Sequence, residues 1–257
     1  MRELIIESQA LARRWFSHLK REPFNILFTL TQPMIWLLLF GSLFQRAPEM
    51  PGFPAGTSYV TFMTAGVIVM TVLGNGMAGG IPLLFDRENG FLEKVLATPA
   101  NRGSILLGRV FYILTVTLAQ TLLVLGVAML LGVRVRAGVA GIGMILVIAL
   151  LFAVGLTIVS LTLAFSLREH GSFFAILGVL SLPLFFLSSA LIPLNLVPAW
   201  MRTVAEINPM THAIDASRSL ILRGWDWRLL GRSAAYLAAF DGVVFALCFR
   251  RLTRPLL

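Results

Sequence analysis

Long uncharged runs alternate with short clusters of charge along this chain. Glu22 and Arg46 enclose 23 uncharged residues, Glu49 and Asp86 enclose 36, and Arg109 and Arg134 enclose 24. Arg136 and Arg168 enclose 31, and Glu169 and Arg202 enclose 32 in which only His170 titrates. The last run, Arg232 to Arg250, holds 17 residues and one acid, Asp241. A helix needs about 20 apolar residues to cross a bilayer. The pattern therefore predicts an all-α integral membrane protein with six transmembrane helices, over about 24–44, 60–84, 110–131, 139–166, 171–192 and 232–250. Pro33, Pro82 and Pro183 fall inside spans one, two and five and predict kinks. Gly66, Gly74, Gly76, Gly79 and Gly80 crowd span two, and the Gly76-x-x-x-Gly80 pair predicts close helix packing, within the chain or between copies.

The segments between the spans carry their own patterns. Leu4, Leu11, Trp15 and Leu19 recur at helical spacing, with Arg13, Arg14 and Lys20 on the other side. Residues 1–22 thus read as an interfacial amphipathic helix, lying on the membrane or on the protein's own end. After span two comes Asp86-Arg-Glu-Asn-Gly-Phe-Leu-Glu-Lys-Val-Leu-Ala-Thr-Pro99. Phe91, Leu92, Val95 and Leu96 make an apolar stripe on a short helix that Pro99 stops, and Glu93 and Lys94 face away. Such a stripe either docks a partner or tucks under the bundle.

Between spans five and six, Pro193 precedes a short helix that Pro198 begins, with Trp200, Val204 and Ile207 as its apolar face. Asn208-Pro209 breaks it, Thr211 caps a second helix with Ile214, Arg218 and Ile221 in a stripe, and Gly224 ends that helix. Neither is long enough to span. Together, over about 193–228, they predict a hairpin re-entering the outer leaflet, where non-spanning backbone must pack on protein or line water.

Composition removes the soluble alternatives. Charged residues make up 13%, against about 25% in soluble domains. The net charge of +9 would suggest nucleic acid, yet the basic residues flank apolar runs instead of forming patches, so no nucleic-acid partner is expected. With both termini on one side, that side holds 13 of the Arg and Lys residues and the other holds 8. The bias places both termini in the cytoplasm. Arg13-Arg14 hints at a twin-arginine signal, but Lys20, Arg21 and Glu22 interrupt before a run too long for a signal, so span one is expected to stay. Cys248 is the one cysteine and has no disulfide partner in the chain.

Chemistry of other kinds is missing. No Gly-Lys pair exists to end a phosphate loop, so this chain is not expected to hydrolyse ATP. His18, His170 and His212 are scattered, which disfavours a metal site, and no Gly-x-Ser-x-Gly element supports acyl transfer. Asp241 sits mid-span, where a charge costs about 2.5–3.5 kcal/mol. It reads either as a proton or substrate site or, preferably, as a structural partner of an arginine on a neighbouring helix.

The interfacial helix, the six spans, the 86–99 loop, Ser-Ala-Leu-Ile-Pro193, Leu-Val-Pro198-Ala-Trp, Ile-Asn-Pro209-Met-Thr and Ala-Ile-Asp215-Ala-Ser-Arg218 together resemble the permease subunits of type-2 ABC exporters. That group includes antibiotic-efflux, nodulation-factor and polysaccharide exporters. The resemblance implies an interfacial helix over 1–22 and a transmembrane domain over 23–257. It implies a coupling helix at about 86–99 whose Asp86, Glu88, Phe91, Leu92, Glu93, Lys94, Val95, Leu96, Thr98 and Pro99 face a separate ATP-binding subunit. It also implies two permeases, as a homodimer or with a close paralogue, bound to two ATPases, with spans one and five forming the seam.

On the same resemblance the outer re-entrant hairpin, with Pro193, Pro198, Trp200, Asn208 and Pro209, narrows the exit of the path. No cofactor is expected on this chain; ATP and Mg belong to the partner subunit, and membrane lipids surround the assembly. The expected location is a bacterial-type cytoplasmic (inner) membrane. The expected activity is outward movement of an amphipathic, lipid-linked or drug-like substrate. An integral-membrane enzyme acting on lipids would need clustered acids or histidines at one face. An ion-coupled secondary transporter would need more intramembrane charge or an inverted repeat.

Overall fold

The computed structural model describes residues 31–49, 51, 53–54, 56–90, 94, 102–167 and 169–252. Among them every regular element is helical. We label these α1 (Thr31–Leu43), α2 (Tyr59–Glu88), α3 (Arg102–Leu130), α4 (Gly138–Ser166), α5 (His170–Phe186), α6 (Ala199–Ile207), α7 (Pro209–Leu222) and α8 (Trp227–Leu252). Stretches of α2, α3, α4 and α8 are long and apolar enough to cross a membrane, and α1 and α5 are shorter apolar helices. The 29 residues of α4 rise about 43 Å, more than the hydrocarbon thickness of about 30 Å. The expected interfacial helix at 1–22 lies outside the described residues.

α4 is apolar around its whole circumference, and a helix of that kind belongs in the middle of a bundle. It packs against α2, α3, α7 and α8, with Phe152, Ala153 and Leu156 fully buried. Glycine permits the closest of these approaches. A Cβ on Gly76 would lie 2.5 Å from Leu156 Cβ, and one on Gly80 would lie 2.5 Å from the Ser160 carbonyl. Each pair is four residues apart on its helix, so the small side of α2 meets one ridge of α4. The Gly76-x-x-x-Gly80 pair therefore packs within the chain.

α2 starts at Ser58, whose Oγ accepts the Thr61 N–H at 3.2 Å. Its regular hydrogen bonding tightens to a 3₁₀ turn over Ala78–Gly80, next to the kink expected at Pro82. Ser160 of α4 supports this turn: its Oγ accepts the Gly80 N–H at 2.9 Å and donates to the Met77 carbonyl. Arg109 of α3 donates from Nε to the Gly79 carbonyl at 2.7 Å.

Four boundaries differ from expectation. α5 ends at Phe186, short of residue 192, because Asn208 closes it from a distance. The Asn208 amide donates to the Leu184 carbonyl at 2.8 Å and to the Leu187 carbonyl at 2.7 Å. The same side chain accepts the Met210 N–H at 2.9 Å, so Asn208, rather than Thr211, caps α7. Thr211 lies buried within that helix. Pro198 is the residue before α6 instead of its first, and α8 begins at Trp227, inside the expected hairpin range.

Candidate docking end and outer hairpin

The 86–99 loop is anchored by the last turn of α2. Asp86 and Glu88 belong to that turn, so the helix expected from residue 86 can start only after the turn at Asn89-Gly90. Gly90 adopts a φ of +65°, a conformation that favours glycine. The Lys94 N–H then donates to the Gly90 carbonyl at 3.3 Å, and Lys94 is exposed. Phe91, Leu92, Glu93, Val95, Leu96, Thr98 and Pro99 lie outside the described residues.

Two side chains tie this turn to the α4–α5 link. Arg87 donates from Nη1 to the Leu167 carbonyl at 2.7 Å and from Nη2 to the Phe165 carbonyl at 3.3 Å. A cation there satisfies the free carbonyls at the negative end of α4. Glu88 Oε1 lies 2.9 Å from His170 Nδ1, and the His170 ring packs beside Phe85 with centroids 5.2 Å apart. The loop root is thereby in direct contact with the first turn of α5. The sequence holds a signal for Arg87, a cation amid the charge cluster after span two, but nothing local names its acceptors.

At the opposite end, α6 and α7 form the hairpin. α6 leaves its apolar face uncovered, with Trp200 64% exposed. α7 packs deeply between α2, α4 and α8, and its Met210, Ala213, Ile214, Ala216, Leu220 and Ile221 are buried. Half of the hairpin is thus bundle core. Pro193 and Pro198 bracket the turn before α6, and Pro209 occupies the first turn of α7, where its missing N–H costs nothing. Tyr236 of α8 donates to the Ile207 carbonyl, and Tyr59 of α2 donates to the Leu191 carbonyl at 3.2 Å.

Arg218 locks α7 to its neighbours. Its Nη2 donates to the Ser189 carbonyl at 2.6 Å, its Nε donates to the Phe62 carbonyl at 3.3 Å, and its Cζ stands 3.8 Å from the Phe62 ring centroid. Asp215 Oδ1 lies 3.5 Å from Arg218 Nη1 and accepts the Ser189 hydroxyl at 2.7 Å.

Between the two ends, α1, α2 and α5 line an open cavity of about 460 Å³. Gln32, Thr71, Asn75 and Ser181 give it polar spots among Trp36, Met70 and Phe185. Asn75 also donates to Gln120 Oε1 of α3 at 2.6 Å. Asp241 has no arginine partner among the described residues, contrary to the pairing expected for it. Its Oδ1 is buried without a hydrogen-bond partner there. That oxygen lies against Gly155 of α4, where a Cβ would come within 2.3 Å of it.

This architecture can be set beside known proteins. Residues 7–222 match the ABC-2 type transporter family. The chain belongs to that family. It is 35% identical to the ycf38 transport permease of Porphyra purpurea, over 88% of this chain and 77% of that one. It is 30% identical to a daunorubicin resistance ABC transporter permease protein of Streptomyces coeruleorubidus, over 79% and 70%. It is 27% identical to nodulation protein J of Rhizobium meliloti, over 77% and 74%. The chain is therefore a membrane-embedded transport component, an ABC-2 permease, and permeases of this family work with a separate subunit that binds ATP and hydrolyses it.

Proposed function

We propose that two copies of this permease, bound to two ATP-binding subunits, form an ATP-driven exporter of an amphipathic, lipid-linked or drug-like molecule. The observation carrying this reading is the junction of Arg87 and Glu88 with Leu167 and His170. It links the root of the 86–99 loop to α5, a helix that lines the cavity. ATP and Mg act on the partner subunit, whose closure would press the stripe of Phe91, Leu92, Val95 and Leu96. The loop root would then carry that motion to α5.

Six spans, with α1 and α5 counted among them, fit the apolar runs. Both termini then face the cytoplasm of a bacterial-type inner membrane, on the side holding 13 of the 21 Arg and Lys residues. α1 and α5 are the natural seam between two permeases, because the cavity opens between them and their outer faces are apolar and uncovered. The drug-resistance and nodulation relatives favour an exported amphiphile. Co-purification tests the docking step. The wild-type permease is expected to retain an ATP-binding subunit, and a Phe91→Asp, Leu92→Asp variant that still inserts in the membrane is expected to lose it. Equal retention by both would refute docking through this loop.

A further inference from the structure

The bundle end opposite the 86–99 loop carries positive charge that topology does not require, since orienting cations belong on the loop side. Two segments distant in sequence build it. The Arg136 N–H donates to the Ile221 carbonyl at 3.2 Å and the Ala137 N–H donates to the Leu220 carbonyl at 3.0 Å, which lays the α3–α4 turn on the last turn of α7. Exposed Arg134 and Arg136 therefore stand beside exposed Arg223, which follows that helix. Gly224, with a φ of +100°, swings the chain into Trp225 and Trp227. Their rings stack with centroids 4.8 Å apart, and exposed Arg228 comes next on α8.

One acid lies within this cluster, and it is committed elsewhere. Asp226 Oδ1 accepts the Leu229 N–H at 3.1 Å and so caps α8. Four arginines against Asp226 leave a balance of +3 (4 − 1) over the α3–α4 turn and the α7–α8 link. Among the described residues none of the four forms an ion pair. The α3–α4 turn is flanked by two bare apolar side chains, Leu130 at the end of α3, 87% exposed, and Val139 at the start of α4, 85% exposed.

We propose that this patch binds the phosphate headgroup of an anionic membrane phospholipid in the leaflet at that end of the bundle. Guanidinium forks match phosphate oxygens in pairs. Trp rings settle at headgroup depth, and clustered exposed arginines beside them attract anionic headgroups. Leu130 and Val139 distinguish a lipid from a soluble anion, because they offer acyl chains a surface that free phosphate would not use. The site rests on the chain being embedded in a membrane, and it is independent of ATPase docking and of transport direction.

Native mass spectrometry of the full-length permease, equilibrated with equal amounts of phosphatidylglycerol and phosphatidylcholine, tests the site. The wild type is expected to retain phosphatidylglycerol in several-fold excess. R134Q/R136Q and R223Q/R228Q alter exposed side chains, and each is expected to bring retention to parity. If one of these fails to fold, the other carries the same test from the other half of the patch. R46Q, an exposed arginine at the same bundle end after α1, is expected to keep the preference. Equal retention of both lipids by the wild type, an unchanged preference in the double variants, or the same loss in R46Q would overturn the proposal.

Discussion

Arg218 and Asn208 each hold three partners, and both owe their importance to where they sit. Removing one partner of a largely buried ion pair leaves the other without compensation. Truncation leaves Asp215 and the carbonyls of Ser189 and Phe62 without their donor. Arg218→Ala is expected to lose about 2–3 kcal/mol of stability, read as a lower unfolding midpoint in detergent. Arg218→Lys should fall between the two, because an ammonium lacks the fork that reaches both carbonyls. For Asn208, Asp is the informative replacement. It keeps the acceptor for Met210 but loses both donations to α5 and sets a carboxylate against two carbonyls. Thermal unfolding should therefore show Asn208→Asp at least as damaging as Asn208→Ala, at about 1–2 kcal/mol or more. Equal stability of Asn208→Asp and wild type would mean that the α5 cap is dispensable.

At the scale of elements, charge gaps and helical spacing disclosed the apolar helices because each such signal is local. The end of α5 was not legible, since Asn208 caps it from beyond α6. The depth of α7 was equally hidden: a stripe with Arg218 in it reads as half-polar until Ser189 and Phe62 supply partners. Asp241 misled for the opposite reason, as a mid-span acid suggests an ion pair while the backbone of Gly155 lies against it. The α2–α4 contact gives a prediction of its own. Gly80→Leu must separate the helices, because even a Cβ lies 2.5 Å from the Ser160 carbonyl. It should destabilise the bundle far more than Gly74→Leu, where a Cβ meets nothing within 4 Å. The junction at the loop root gives another. With Arg87→Ala or His170→Ala, the assembly should keep ATP hydrolysis while transport per ATP falls. A parallel fall in both would assign these residues to folding instead.

Among the described residues, α2, α4, α7 and α8 form a four-helix centre, with α3 along one side and α1 and α5 at the cavity. Two copies meeting at α1 and α5 would close that cavity between them. A Cys248→Ser background permits a direct check of that seam. Val179→Cys in α5, 70% exposed, should cross-link to a second copy, whereas Val139→Cys at the start of α4 should not. In the proposed exporter, ATP turnover on a partner subunit drives transport through the 86–99 loop. Its most direct test is ATP-dependent transport in proteoliposomes holding the permease and its ATP-binding subunit. The wild type should move substrate only with hydrolysable ATP, and the Phe91→Asp, Leu92→Asp variant should not move it. Undiminished ATP-driven transport by that variant would show that the drive does not pass through this loop.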